Sequence, residues 1–272
     1  MIVNNTPLEH YPDFGLWVKR EDLCCPFPGP PFSKTRGVFA HIEARPEKNI
    51  GVLDSFHSQA GHAVATACAK LGKRAINYYP KFKKDRGIQP QQKIAQELGA
   101  SLVPLQATAS WALYHEAKKD LRECYPDSYM MPNALKLPET VSETAAEVAR
   151  TVWPGGIDNV LIAVSSGTIA AGVIRGLLDN MPKHGIDNVI LHLGYNRNPT
   201  VVLEYIKRHV ARPNFNELKY HIVNEGYAYS DKAKTDNPPP FPCNPYYDLK
   251  LFGWWNKTGR ATWGEALLWN IG

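Results

Sequence analysis

The run Asn159-Val160-Leu161-Ile162-Ala163-Val164-Ser165-Ser166-Gly167-Thr168-Ile169-Ala170-Ala171-Gly172 decides how the chain is read. After Asn159 come five aliphatic residues that do not alternate with polar ones, the pattern of a strand buried on both faces. A Ser-Ser-Gly-Thr turn follows, and Ile169 to Leu178 continues as a helix. A strand feeding a helix in this way is part of a βαβ unit, and such units build parallel sheets. The turn also carries chemistry. The first N–H groups of a helix lack partners within it, and the helix dipole adds partial positive charge. Glycine permits close approach and the hydroxyls add donors. Ser165, Ser166, Gly167 and Thr168 therefore make a cradle suited to a phosphate. The same turn reads equally as an ordinary capped strand–helix junction. It is not the nucleotide P-loop, because no Gly-Lys-Ser/Thr follows.

Working outward, the strand–helix rhythm repeats. Upstream, strands are expected at 49–54, 74–79 (ended by Pro80) and 101–105, with helices at 58–71, 89–98, 110–123 and 139–152. The helix from Ser58 to Leu71 is rich in alanine and glycine, which lets it lie close to a sheet. Gly99 is a stop signal for the helix before it. Downstream, strands are expected at 188–193 and 220–223, and Ala266 to Gly272 is strand-like. Near the start, Leu16-Trp17-Val18-Lys19 reads as a strand. Ser33 is expected to cap a helix opened by Lys34, with Val38, Phe39 and Ile42 on its buried side. The proline-rich stretches 25–31 and 231–246 read as loops. The fold class is α/β, built on parallel sheets.

Composition narrows the class further. The chain has 272 residues, a formal net charge of +5 and five cysteines. The charge suits an anionic substrate without arguing for nucleic acid. Cys24, Cys25, Cys68, Cys124 and Cys243 show no CxxC spacing, so neither zinc nor a disulfide framework is indicated. His57 and His62 are spaced badly for one helix face, and no metal is expected. No apolar run is long enough for a membrane helix, and the start of the chain does not read as a signal peptide. A reducing cytoplasm is expected, the host's if the chain is viral.

Four further segments matter in order. Lys19-Arg20-Glu21-Asp22 precedes Pro31-Phe32-Ser33-Lys34-Thr35-Arg36-Gly37. Ser55-Phe56-His57-Ser58-Gln59-Ala60-Gly61-His62 lies between a strand and a helix, where Ser58 and Gln59 can receive a carboxylate. Asn224-Glu225-Gly226-Tyr227-Ala228-Tyr229 follows a strand, and Pro245-Tyr246-Tyr247-Asp248-Leu249-Lys250 precedes the strand-like tail. Alone, each is bland; a lysine before Thr-Arg is usually an exposed first helical turn.

Taken in sequence with the phosphate turn, they resemble the fold type II (tryptophan synthase β-like) enzymes dependent on pyridoxal 5′-phosphate (PLP). The nearest branch is that of 1-aminocyclopropane-1-carboxylate deaminase and D-cysteine desulfhydrase. The likeness spans nearly the whole chain. Gln59 stands where that branch has asparagine, Ala171 where it often has glycine, and the second terminal glycine is absent. The resemblance implies two doubly wound, parallel-sheet α/β domains with the cofactor in the cleft between them. The large domain would comprise 1–45 and 143–272, with 46–142 inserted as the smaller one. A homodimer is the expected assembly.

By the same resemblance Lys34 is the Schiff-base lysine and general base. Ser165, Ser166, Gly167 and Thr168 anchor the phosphate, Gln59 lies beside the ring, and Ser58 meets the substrate carboxylate. Asp248 matches a glutamate that partners the pyridine nitrogen. Tyr247, with Tyr227 or Tyr229, is a candidate for proton transfer.

The expected activity is carbanion chemistry at Cα of a small amino-acid-like substrate, of deaminase or lyase type. Two alternatives stand beside it. The basic stretch Lys81-Phe82-Lys83-Lys84-Asp85-Arg86 and the short chain suggest a compact phage variant, an α-decarboxylase acting on an amino acid attached to a nucleobase in DNA hypermodification. The same basic stretch reads also as a solvated loop. The other alternative is a non-catalytic α/β protein that binds a phosphate ligand.

Overall fold

The computed structural model describes residues 2–55, 57–82, 87–106 and 109–272. In chain order the strands are β1 (Leu8–Tyr11), β2 (Leu16–Arg20), β3 (Asn49–Leu53), β4 (Arg74–Lys81), β5 (Ser101–Gln106), β6 (Ser128–Met130), β7 (Asn159–Val164), β8 (Asn188–Leu193), β9 (Lys219–Val223) and β10 (Ala266–Asn270). The helices are α1 (Thr35–Glu43), α2 (Ala60–Leu71), α3 (Pro90–Glu97), α4 (Ser110–Cys124), α5 (Pro138–Arg150), α6 (Thr168–Asp179), α7 (Pro199–Val210), α8 (Asp248–Trp254) and α9 (Arg260–Trp263). They form two compact units. One is Met1–Cys25, Pro31–Ser33 and Thr140–Gly272; the other is Pro26–Pro30 and Lys34–Glu139.

The first unit holds a six-stranded sheet ordered β1-β2-β10-β7-β8-β9. All its pairs are parallel except β1 with β2. Strand alternation divides its side chains between two cores. Val160, Ile162, Val164, Leu267 and Trp269 enter one with residues of α5, α6 and α7. Leu161, Ala163, Ala266 and Leu268 enter the other with Leu251 and Phe252 of α8. The continuous apolar run 160–164 is thus explained by burial on both faces.

The Lys-Arg-Glu-Asp motif is the polar frame of this unit. Lys19 Nζ lies 2.8 Å from Glu147 Oε1 on α5, with both side chains almost wholly buried. The same carboxylate accepts from the N–H groups of Asn5 (2.9 Å) and Thr6 (2.8 Å). Arg20 bonds Asp22 through Nε (2.9 Å) and Nη2 (2.8 Å), and Asn270 Nδ2 donates to Asp22 at 3.0 Å. The motif ties the N-terminal segment to α5 and β10.

The second unit is a four-stranded, wholly parallel sheet ordered β5-β4-β3-β6. Leu53, Ile76, Tyr78, Leu105, Leu113, Ala117 and Leu121 make a core between that sheet and α4. Pro80 does not end β4, as expected, but continues it to Lys81. Beyond Tyr78, whose partner is Leu53, β4 pairs only with β5, so the missing N–H leaves no ladder bond on the β3 side unmade. The helix expected to open at Lys34 begins at Thr35, with Lys34 in the capping position. Ser33 does not cap it: its Oγ is buried without a hydrogen-bond partner among the described residues, and its N–H donates to Ile271 O at 3.0 Å. Of the basic stretch, Lys81 ends β4; Lys83, Lys84, Asp85 and Arg86 lie outside the described residues.

Candidate active site

In the second unit, Lys34 is 8% exposed although it carries an amine. Its Nζ donates to the carbonyl oxygen of Ala134 at 2.7 Å. Ala134 (φ 59°) and Leu135 (φ 48°) are both left-handed, a region that side chains other than glycine's rarely occupy. The carbonyl that holds the lysine is therefore set by strained backbone. Burial, with the Lys136 ammonium as a smaller cause, pulls the Lys34 amine down to about 7. An amine so placed is substantially neutral, hence nucleophilic, near neutral pH.

Ser58 and Gln59 precede α2. The Ser58 Oγ accepts from Ala60 N–H at 2.9 Å, and Gln59 occupies the capping position, where its side chain does not cap a helix N–H among the described residues. Gln59 Oε1 lies 3.4 Å from His62 Nδ1, while His62 Nε2 donates to Pro28 O at 2.6 Å. His62 is thereby committed to holding backbone.

Asp54, at the end of β3, escaped the sequence reading. It is fully buried. Burial pushes its carboxyl up to about 8, against the smaller opposing pull of the Gly61 N–H and the Ser58 hydroxyl. Gly61 is needed opposite it: a Cβ there would lie 2.6 Å from Asp54 Oδ2 and 2.5 Å from Asn77 Nδ2. Because this acid's folded pKa is raised, its contribution to stability is complete below the unfolded value of 3.8 and is lost as pH rises through about 8. Asp54→Asn cannot ionise. From pH 5 to pH 9 it should keep up to ~4 kcal/mol that the parent loses. Urea unfolding at the two pH values measures this, and equal pH slopes for parent and variant would refute it.

In the first unit, the turn after β7 has the form expected of an anion cradle. Gly167 caps α6 at φ 89°, where a Cβ would also meet Tyr205 Cδ1 at 2.9 Å. Ser166 Oγ and Thr168 Oγ1 are 3.0 Å apart, and Thr168 Oγ1 is 3.2 Å from the Tyr205 hydroxyl. Arg197 Nη1 donates to Ser165 O. Tyr205 and Arg197 were missed in the sequence. Arg197 lies a few residues past the carboxyl end of β8, which is where parallel sheets place ligand contacts, and that rule was the available signal.

Asp248 opens α8 and is fully buried. Its Oδ1 accepts from Ile271 N–H at 3.1 Å, while Oδ2 has no partner of hydrogen-bond geometry among the described residues. Burial, with a smaller push from Asp22 and against the pull of backbone N–H groups, raises its carboxyl to about 7. An unsatisfied buried carboxyl oxygen is what a protonated ring nitrogen would complete. The Tyr247 hydroxyl, beside Ser165 and Tyr229, is raised mainly by burial and so holds its proton at neutral pH. Tyr227 lies under Lys250, whose Nζ is 4.6 Å from the ring centroid and donates to Gly194 O at 2.5 Å. Tyr229 is 44% exposed.

In the second unit a buried lysine of lowered pKa, and in the first a turn of anion-cradle form and a buried acid with one oxygen unpartnered among the described residues, are each of a kind that suits a phosphorylated pyridine aldehyde. Residues 1–207 match the family model for pyridoxal-phosphate dependent enzymes, and the chain belongs to that family. It is an enzyme of the fold type II class, and its cofactor is PLP.

Over 287 aligned positions, covering all of both chains, it is 50% identical to the "Glycyl-dTMP PLP-dependent decarboxylase" of Pseudomonas phage M6. Among solved structures, an ACC deaminase homologue is 17% identical with a TM-score of 0.78, covering 100% of this chain and 90% of the other. An L-serine ammonia-lyase from Rhizomucor miehei is 15% identical with a TM-score of 0.70, covering 98% of this chain and 93% of the other. The family and fold expected from the motifs are borne out. Among the described residues no helix is long and apolar enough to cross a membrane.

Proposed function

We propose that this enzyme removes the α-carboxylate of an amino acid carried on a nucleotide. The observation that carries this reading is the 50% identity, over the full length of both chains, to the phage decarboxylase. It favours the decarboxylase alternative over deaminase chemistry.

When bound, PLP supplies the electron sink for the pair left at Cα when a bond there breaks. The chain's own residues do the rest. Lys34 Nζ, kept largely neutral by burial, holds the cofactor and is the base that its release would free. Ser165, Ser166, Gly167 and Thr168 hold the phosphate through the open N–H groups at the start of α6. Asp248 Oδ2 would partner the ring nitrogen, and a carboxyl near 7 would be matched to holding a shared proton there. Gln59 would be the residue beside the ring, and Ser58, at the start of α2, would orient the substrate carboxylate. The Cα–carboxylate bond breaks, its electron pair stays on Cα, and CO₂ departs. A proton must then reach Cα, and Lys34 Nζ and Tyr247 Oη are the groups proposed to deliver it. Tyr227 is held by Lys250 as a support for that end of the site.

The test is product analysis. Holoenzyme given a glycyl-modified thymidine nucleotide should release CO₂ in proportion to substrate consumed, with no ammonia, and should turn over free amino acids far more slowly. Ammonia without CO₂ would return the enzyme to the deaminase reading.

A further inference from the structure

Two loops at the carboxyl ends of β8 and β9 are joined to each other within the first unit. Asn196 N–H donates to Tyr227 O at 2.7 Å, and Asn224 Nδ2 donates to Asn196 Oδ1 (3.0 Å) and Arg197 O (3.2 Å). They carry more aromatic surface than a small aliphatic amino acid needs. Tyr195 and Tyr229 meet edge to face, with centroids 5.1 Å apart and planes at 89°. Arg197 lies 5.3 Å from the Tyr195 centroid. Tyr247 packs against Gly194, where a Cβ would lie 2.6 Å from its ring, and so joins this panel to the phosphate turn.

Two observations argue that the panel faces a ligand rather than serving as packing. Tyr229 keeps 44% of its surface exposed despite its ring contact. The acids of the second loop have partners of their own: Glu225 is paired with His192 at 2.9 Å, and Asp231 accepts from Ala228 N–H at 2.8 Å. Arg197 uses one nitrogen on Ser165 O and is only partly buried, which leaves its other N–H groups for an anion.

We propose that Tyr195, Arg197 and Tyr229 form the subsite for the nucleotide portion of the substrate, a pyrimidine nucleoside monophosphate whose base lies on the tyrosines and whose phosphate meets Arg197. This rests on the reading of the substrate as nucleotide-borne. Bases stack on tyrosine irrespective of hydrogen-bond pattern, and a guanidinium is the preferred partner of a phosphate. The subsite gives Tyr229 a role apart from proton transfer and explains why a decarboxylase would carry an aromatic wall at its rim.

Calorimetric titration of PLP-loaded enzyme, in excess PLP, with dTMP, thymidine, inorganic phosphate and a short thymidine oligonucleotide tests it. Binding of dTMP should be at least about tenfold tighter than that of thymidine or phosphate. Arg197→Gln should reduce dTMP to the affinity of thymidine while keeping the cofactor's absorbance band. Tyr229→Ala should weaken dTMP and thymidine alike by about tenfold, and Tyr229→Phe should restore both. Parent-like dTMP binding by both Arg197→Gln and Tyr229→Ala overturns the subsite. So does loss of the cofactor band in Arg197→Gln, which would assign that residue to PLP. An oligonucleotide binding as tightly as dTMP supports the subsite with a polymer as its source, and a weaker one supports it with the free nucleotide. Failure of dTMP to bind removes the subsite but leaves CO₂ release, and with it the decarboxylase, untouched. Ammonia release does the reverse.

Discussion

Lys34→Ala should lower turnover by at least about 10³-fold, because in the proposed mechanism this one amine both carries the cofactor and is the base its release frees. The absorbance band at about 410–430 nm expected of lysine-bound PLP should vanish with it. The variant is expected to fold. The lost Nζ bonds a carbonyl on Ala134, which is exposed and can take water instead. An intact far-ultraviolet dichroism spectrum therefore separates chemistry from stability. A band that survives the substitution would show that another lysine holds PLP. Lys250 would then be the first suspect, since it too is buried and its amine is lowered by burial.

Glu147→Ala should have the largest effect on stability, about 3–5 kcal/mol, because it strands the buried Lys19 ammonium without its partner. It also removes the acceptor of two backbone N–H groups, Asn5 and Thr6. Denaturant unfolding measures the loss. Glu147→Gln keeps one acceptor oxygen of the two and loses the charge, so it should fall between parent and alanine. A loss below ~1 kcal/mol for Glu147→Ala would mean that the motif Lys19 belongs to is peripheral to the fold.

Much of the fold was legible because its strands are buried on both faces. Runs such as Val160–Val164 and Val189–Leu193 leave few readings other than a strand in a covered parallel sheet. The elements that were missed lack that signal. β1 lies at the sheet edge and is mostly half-exposed. α7 begins Asn198-Pro199, which punctuates like a turn, although Asn198 Oδ1 caps the helix through Thr200 N–H at 2.9 Å. α8 follows a proline-rich loop, and its amphipathic stretch is brief.

The site was legible where a motif has order along the chain, and hidden where contact is made by distant residues. Lys34 was proposed from the resemblance that the ordered motifs carry, and the turn at Ser165–Thr168 from a strand running into a helix. Arg197 sits in a stretch with no pattern of its own, and Tyr205 lies on α7, whose apolar spacing marks a helix but not its contact with the turn. Asp54 reads as the polar end of a strand, and only its complete burial makes it unusual. Nothing in Asn133-Ala134-Leu135-Lys136 announces two left-handed residues, since glycine normally marks such backbone.

The position of β10 has a consequence for synthesis. It lies between β2 and β7, in the interior of its sheet, yet the ribosome makes it after every other strand there. The second unit is complete in sequence by Glu139 and is free to fold while the rest is being translated. The first unit cannot close until Asn270 has emerged, and until then β2 and β7 are two exposed edges awaiting one strand. Nascent chains should therefore be protease-resistant in residues 34–139 well before they are resistant elsewhere, and capture of the cofactor should wait until Asn270 has emerged.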